Sequence, residues 1–379
     1  MSCESVSPSE NNLIMTEAPE YLTEQIMTYI GNKRALLTFI GDAIQIVQGA
    51  LGREKLSMFD VFSGTGIVSR YFKQFSKRLY TNDLEEYSKC VNSCYLTNRG
   101  DVDLPLLQTM LEDLNARIKA NLHDGVITEL YAPLDDDNIR DGERVFYTRR
   151  NANYIDTACQ EIAQLPEELR RFFLAPLIYS ASVHANTAGV FKGFYKNKNG
   201  RGQFGGHAKN ALSRIRGDIE LLMPVFSRFE CDHEIYQKEA LAAATEMPED
   251  VDFAYLDPPY NQHPYGSNYF MLNLIVNYKH PAKVSRISGI PDDWNRSAYN
   301  QRHKAQETLF TLVENVRAKY ILISYNSDGF VKYNDFVEHL SKLGTLTTMS
   351  TDYNTFKGCR NLCERDIHVK EYLFLLKRS

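Results

Sequence analysis

At 379 residues and 43.5 kDa the chain is longer than one small core requires, so one large domain or a core carrying a second module is expected. A composition of 43% hydrophobic, 24% charged and 12% aromatic residues excludes disorder, because apolar surface is ample to offset the entropy of ordering. A net charge of −5 and a pI near 6.0 argue against indiscriminate binding of polyanions.

Residues 1–20 are polar, aperiodic and predicted to be a disordered tail. Five acids (Glu4, Glu10, Glu17, Glu20, Glu24) precede the first basic residue, Lys33, the reverse of a secretory or transit leader. A cytoplasmic location is expected. Leu36, Leu37, Ile40, Ile44 and Val47 recur at helical spacing after a Gly31-Asn32 turn, which predicts an amphipathic helix from Lys33 to Leu51. Leu56 to Phe62 reads as a buried strand, stopped by Ser63-Gly64-Thr65-Gly66 and followed by a helix from Ile67 to Phe75. A second strand, Arg78 to Asn82, ends at Asp83, and a helix runs from Leu84 to Asn98. Two successive β-α units predict an α/β fold with a parallel, doubly wound, Rossmann-like sheet.

That rhythm is lost between 101 and 229, which reads as an insertion between core segments 21–100 and 230–379. It holds helical stretches at Leu104 to Ile118 and Pro166 to Ser182, and an acidic turn at Asp135-Asp136-Asp137. The Phe172 to Tyr179 run inside it is the longest apolar candidate, far short of the roughly 18 residues of a membrane helix. Between Thr187 and Arg216 stand Lys192, Lys196, Lys198, Arg201, Lys209, Arg214 and Arg216 with no acid among them, interleaved with Phe191, Phe194, Tyr195 and Phe204. This is either a phosphate-tracking surface or a solvated loop.

Strands are predicted again at Cys231 to Gln237 and Val251 to Leu256, then a helix from Lys304 to Arg317, a strand from Tyr320 to Tyr325, and a closing hairpin through Tyr372 to Leu376. The seven cysteines are odd in number and lack a Cys-x-x-Cys pair, so they are read as reduced thiols. Cys90 with Cys94 and Cys359 with Cys363 have no histidine at ligand spacing, and no metal is expected.

Two stretches carry chemistry. In Phe62-Ser63-Gly64-Thr65-Gly66 the glycines suit either a plain tight strand-to-helix turn or a backbone approached by a cofactor, in which case Asp83 would accept hydrogen bonds from ribose hydroxyls. Ser69 stands where a dinucleotide fingerprint has its third glycine. In Asp257-Pro258-Pro259-Tyr260, two prolines end a buried strand and rigidly present the acid, the Pro258 carbonyl and the aromatic ring at its mouth.

With these motifs in this order, the chain resembles the Dam-like, alpha-group N6-adenine-specific DNA methyltransferases of type II restriction-modification systems. Tyr29 to Arg34 is similar to the family's N-terminal motif, Phe62 to Gly66 to its cofactor loop, and Asp257 to Tyr260 to its D-P-P-Y catalytic loop. The tail from Tyr353 through Asn361 to Leu373 is similar as well. The resemblance implies S-adenosylmethionine as cofactor, held by Tyr29, Lys33, Asp60, Phe62, Ser63, Gly64, Thr65, Gly66, Asp83, Glu239 and Asp257, with Glu239 on the strand before the catalytic one. It also implies a catalytic loop of Asp257, Pro258, Pro259 and Tyr260, with Tyr325 either on the other face of a flipped-out adenine or in the core. Double-stranded DNA would meet Lys192, Lys196, Lys198, Arg201, Tyr265, Asn268 and Tyr269, the 101–229 insertion reading the target.

A separately encoded restriction endonuclease and a monomeric state are further expectations. Modification without cleavage is expected of this chain, because no lysine has Asp or Glu two residues before it. The competing readings are an RNA-adenine or cytosine-amine methyltransferase, and a DNA-binding specificity subunit with a vestigial core.

Overall fold

Every residue of strand β1 (Leu56–Asp60) and of strand β4 (Val251–Leu256) is buried, the lack of alternation that a parallel strand covered on both faces requires. The computed structural model describes residues 16–206, 209, 211–354 and 368–379. Its seven-stranded sheet runs β3 (Asp232–Gln237), β2 (Ser76–Asp83), β1, β4, β5 (Ala318–Asn326), β7 (His368–Arg378), β6 (Gly344–Asn354). β3, β2, β1, β4 and β5 are parallel, and β7 pairs antiparallel with β5 and β6. The chain winds outward from β1 to β2 and β3, then returns to the other side of β1 with β4, setting Phe59 beside Ala254. That reversal opens a crevice at the carboxyl ends of β1 and β4, where a doubly wound sheet binds ligands. The predicted Rossmann-like class is the one observed.

Most predicted elements are present. The helix from Lys33 begins as a 3-10 turn, Lys33–Leu36, capped by the Asn32 side chain accepting from the Arg34 amide at 2.8 Å, and continues as α-helix over Leu37–Leu51. Helices Leu104–Ala120 and Glu167–His184 lie where periodicity placed them. Helices Val126–Tyr131 and Arg149–Ile162 were not anticipated. The buried face of Arg149–Ile162 includes Asn151, Asp156 and Thr157, which break the apolar period. Asp156 is fully buried and accepts from the Ile127 and Thr128 amides at 3.0 and 2.7 Å, so it caps the neighbouring helix instead of facing water.

The tail prediction is corrected at 16–20, since helix Pro19–Thr23 is formed and Glu17 is buried. The Glu17 carboxylate accepts from the Ser227 hydroxyl and from the Arg228 amide at 3.0 Å, partners too distant in sequence to signal order. Residues 1–15 lie outside the described residues.

The 101–229 stretch shares its core with the rest of the chain. Leu107, Leu114, Ile155 and Phe173 pack in one cluster with Tyr87 and Cys94, from helix Glu86–Tyr95, and with Phe270 and Leu274, from helix Phe270–Asn277. Cys90, Cys94, Cys159 and Cys231 are buried free thiols, while Cys359, Cys363 and Asn361 lie outside the described residues. No helix among the described residues is long and apolar enough to cross a membrane.

Candidate active site

The Gly64 turn is held by the end of β2. Ser63 donates its amide to the Asn82 carbonyl at 2.9 Å, and Gly64 donates its amide to Asp83 Oδ2 at 2.8 Å. The other Asp83 oxygen accepts from the Glu85 amide at 3.0 Å. Gly64 and Gly66 have φ of 50° and 77°, the left-handed region where glycine carries no steric cost. A Cβ on Gly66 would lie 2.6 Å from Asn92 Oδ1, so this glycine answers to the packing of helix Glu86–Tyr95 as much as to any ligand.

A cavity of about 330 Å³ opens over this turn, and its wall includes Gly64, Asp83, Glu239, Asp257 and Tyr265. Tyr29, Lys33, Phe62, Ser63, Thr65 and Pro259 also line it. Three expectations change in detail. Gly66 does not line the cavity. Glu239 follows β3 and caps helix Ala240–Glu246, its Oε2 accepting from the Leu241 amide at 2.8 Å. Asp60 is fully buried, does not line the cavity, and accepts from Ser69 Oγ at 2.6 Å. Ser69 therefore ties its helix to β1, and burial pushes the Asp60 carboxyl up to about 7.

Sequence reasoning missed Glu85, Asn295 and Tyr299, which line the same cavity. Glu85 Oε2 accepts from Asn273 Nδ2 at 2.6 Å and Asn295 Nδ2 at 3.1 Å, and burial followed by the Asp83 charge pushes its carboxyl up to about 7. The Tyr299 hydroxyl is buried without a hydrogen-bond partner among the described residues, and its ring meets Phe62 edge-on at 5.2 Å. An acid two positions after Asp83 was the one local signal available for Glu85. Asn295 sits in irregular chain and Tyr299 in the short 3-10 turn Ala298–Asn300, and neither carries one.

The parallel pairing of β1 and β4 brings the Asp257 loop to the cofactor turn. The Asp257 side chain is 19% exposed, and Lys33 Nζ lies 3.1 Å from its Oδ1. The same ammonium lies 3.0 Å from Oε1 of Glu371, on β7. Burial opposes the lysine's charge, but Asp257 and then Glu371 outweigh it and hold its pKa well above the ordinary value. Burial raises the Asp257 carboxyl to about 6, Lys33 pulling it down and Glu371 pushing it up. Lys33 therefore faces the catalytic loop as well as the cavity. Pro258 is buried, and Tyr260 is half-buried with its carbonyl fixed by the Phe330 amide at 3.1 Å. Tyr325 is a core residue, 2% exposed, packed edge-on behind Tyr260 at 6.1 Å. Of its two readings, the core one matches this burial.

The aromatics after the loop are also inward. Tyr265 and Tyr269 stack on Tyr29 at 5.0 and 4.4 Å. The Tyr269 hydroxyl accepts from the Ile30 amide at 2.7 Å, and the Tyr265 hydroxyl donates to the Ile30 carbonyl at 3.2 Å. Asn268 is 3% exposed and its carbonyl accepts from the Phe191 amide at 2.7 Å. Tyr269 and Asn268 are thus buried behind the cavity wall, where they present no exposed surface to the DNA that the resemblance assigned them.

The basic segment divides. A tight hairpin, closed by the Asn197 amide on the Arg201 carbonyl at 2.8 Å, exposes Lys196 and Lys198. Lys192, Lys196 and Lys198 form no ion pair among the described residues, whereas Arg201 pairs with Asp141 at 2.6 Å and Arg216 with Asp137 at 3.8 Å. Arg214 is a strap, donating to the Val183 and Ala185 carbonyls. Lys192 is near the catalytic loop: burial, and then its charge, lower the His263 pKa.

The family model for D12 class N6 adenine-specific DNA methyltransferases matches residues 29–315, from the Tyr29 motif through the catalytic loop. The chain belongs to that family. Its substrate is therefore adenine in DNA, which sets aside the RNA, cytosine and vestigial-core alternatives. The methyltransferase is 29% identical over 364 residues to the type II methyltransferase M.NlaIII of Neisseria lactamica, across 93% of this chain and 100% of that protein. It is 27% identical over 354 residues to M.CviAII of Paramecium bursaria Chlorella virus 1, across 92% and 97%. Similarity to M.FokI of Planomicrobium okeanokoites, 25% over 371 residues, covers 93% of this chain and 53% of that one. The family match ends before β5, so Glu371, which shares Lys33 with Asp257, lies outside it.

Proposed function

We propose that this methyltransferase binds S-adenosylmethionine in the 330 Å³ cavity and methylates adenines flipped out of duplex DNA, with residues 101–229 reading the target. The observation that carries the reading is that Gly64, Asp83 and Asp257 line one cavity at the β1–β4 switch. When bound, the cofactor supplies a methyl group on a sulfonium, a strong electrophile. The residues present fit it. The Asp83 carboxylate, oriented by the Gly64 and Glu85 amides, stands on the cavity wall as an acceptor for ribose hydroxyls, and the buried Tyr299 hydroxyl, without a hydrogen-bond partner among the described residues, can take a polar group.

The exocyclic amine of adenine is a poor nucleophile because its lone pair is delocalised into the ring. Asp257 and the Pro258 carbonyl each accept one N–H, localising that pair and aiming it at the methyl carbon. Tyr260 stacks on the extruded base. Similarity to type II methyltransferases supports a place in a restriction-modification system with a separately encoded endonuclease. The enzyme acts as a monomer in the cytoplasm.

The test is incubation with labelled S-adenosylmethionine and, separately, unmethylated DNA and total RNA, followed by mass spectrometry of the nucleosides. Label is expected in N6-methyladenine from DNA, and label from RNA alone would overturn the assignment. Lys192, Lys196 and Lys198 contact phosphates. Replacing all three with alanine is expected to lower the slope of log affinity against log salt by about 3, roughly one per lysine. Filter binding across a salt series measures this, and an unchanged slope returns the segment to a solvated loop.

A further inference from the structure

One lysine serves two acids. Lys33 Nζ lies 3.1 Å from Asp257 and 3.0 Å from Glu371, and the three side chains are 6%, 19% and 2% exposed. The cluster therefore holds one positive and two negative charges in a place largely closed to water, an expensive arrangement if its purpose were stability alone. Glu371 is also fixed from behind. Ser324 Oγ donates to its Oε1 at 2.7 Å and Asn326 Nδ2 to its Oε2 at 3.3 Å, both from β5, where Asn326 pairs directly with Glu371 in the antiparallel register. The C-terminal hairpin thus delivers a rigid carboxylate to the far side of the lysine that touches the catalytic acid.

We propose that Glu371 is a positioning residue for methyl transfer: it holds Lys33 in a shared place, so that the ammonium stabilises ionised Asp257 without occupying the lone pairs that the adenine amine needs. This rests on the role given above to Asp257. An ammonium carries three N–H donors. With Glu371 taking part of that capacity, Asp257 keeps acceptor sites. Without Glu371, the buried lysine turns wholly to Asp257 and competes with the amine. Without Lys33, Asp257 faces Glu371 unscreened and takes up a proton. Among the described residues, the other titratable groups around Asp257 include Asp60, Tyr255, Tyr260 and Tyr265, and they are common to all variants below.

The decisive measurement is the pH profile of kcat for Glu371→Gln, Lys33→Met and the double variant, with product identified as N6-methyladenine. Wild type is expected to lose activity as pH falls through the Asp257 value of about 6. In Glu371→Gln the acid limb moves to lower pH, because a negative neighbour is gone, and kcat in the plateau falls roughly 10²-fold while KM for cofactor and DNA holds. In Lys33→Met the limb moves to higher pH. The double variant is expected to be no slower than Lys33→Met, because Glu371 acts through the lysine.

A Glu371→Gln enzyme with wild-type kcat and an unmoved limb overturns the proposal. So does a double variant in which the two losses multiply. Should Glu371→Gln not fold, Ser324→Ala, which frees Glu371 Oε1 while keeping its charge, is expected to lower kcat with KM unchanged, and an unchanged kcat there overturns the proposal equally. Asp257→Ala, run in parallel, separates the two readings: activity retained in that variant removes the role of Asp257 itself, whatever Glu371 does.

Discussion

Asp257→Ala is expected to lower the rate of methyl transfer by roughly 10³-fold, about 4 kcal/mol of transition-state stabilisation, with cofactor affinity near normal. The size follows from what is lost. The alanine removes an ionised acceptor in a water-poor site, aimed at an amine that becomes positively charged as the new bond forms. Folding should survive, because Lys33 keeps Glu371 as a partner at 3.0 Å and the two prolines still shape the loop. Single-turnover kinetics on DNA, paired with calorimetry of cofactor binding, makes the measurement. An equal loss of cofactor affinity would assign Asp257, which lines the shared cavity, to the cofactor and not to the base.

Arg70→Met is expected to destabilise the protein by about 3–5 kcal/mol, among the larger effects a single substitution produces. Arg70 is 1% exposed, and its guanidinium donates to the Tyr21, Glu24 and Gln25 carbonyls at 3.1, 3.0 and 3.1 Å while lying 3.7 Å over the Tyr95 ring. Methionine fills the volume but leaves those carbonyls without donors. They belong to the segment that leads to Tyr29 and Lys33, so the loss reaches the cavity wall. Urea unfolding at fixed pH gives the stability change, and limited proteolysis shows whether the 16–29 segment detaches first. A loss under about 1 kcal/mol would mean that the freed carbonyls find water or other donors.

These two residues show where sequence reading works and where it stops. Asp257 announces itself through its neighbours: a buried strand before it and two prolines and an aromatic after it. Arg70 stands in the helix Ile67–Phe72 with nothing adjacent to mark it, and its acceptors lie more than forty positions away. Asn268 and Tyr269 show the same limit. Aromatic and amide side chains beside a catalytic loop suit a nucleic-acid surface and a packed wall equally well, and only burial decides between them.

The sequence by itself determined the parallel sheet, the Gly64 turn, the Asp257 loop and the family, because each depends on chemistry within a few adjacent residues. Periodicity, proline stiffness and the left-handed preference of glycine are local properties. Only the tertiary structure decided that Lys33 stands between Asp257 and Glu371, that Asp60 is buried against Ser69 outside the cavity lining, and that the inserted stretch shares the core of the sheet's own helices. Those arrangements join segments far apart in the chain, and they are set by which charges and apolar faces must be buried together once the strands have taken their order.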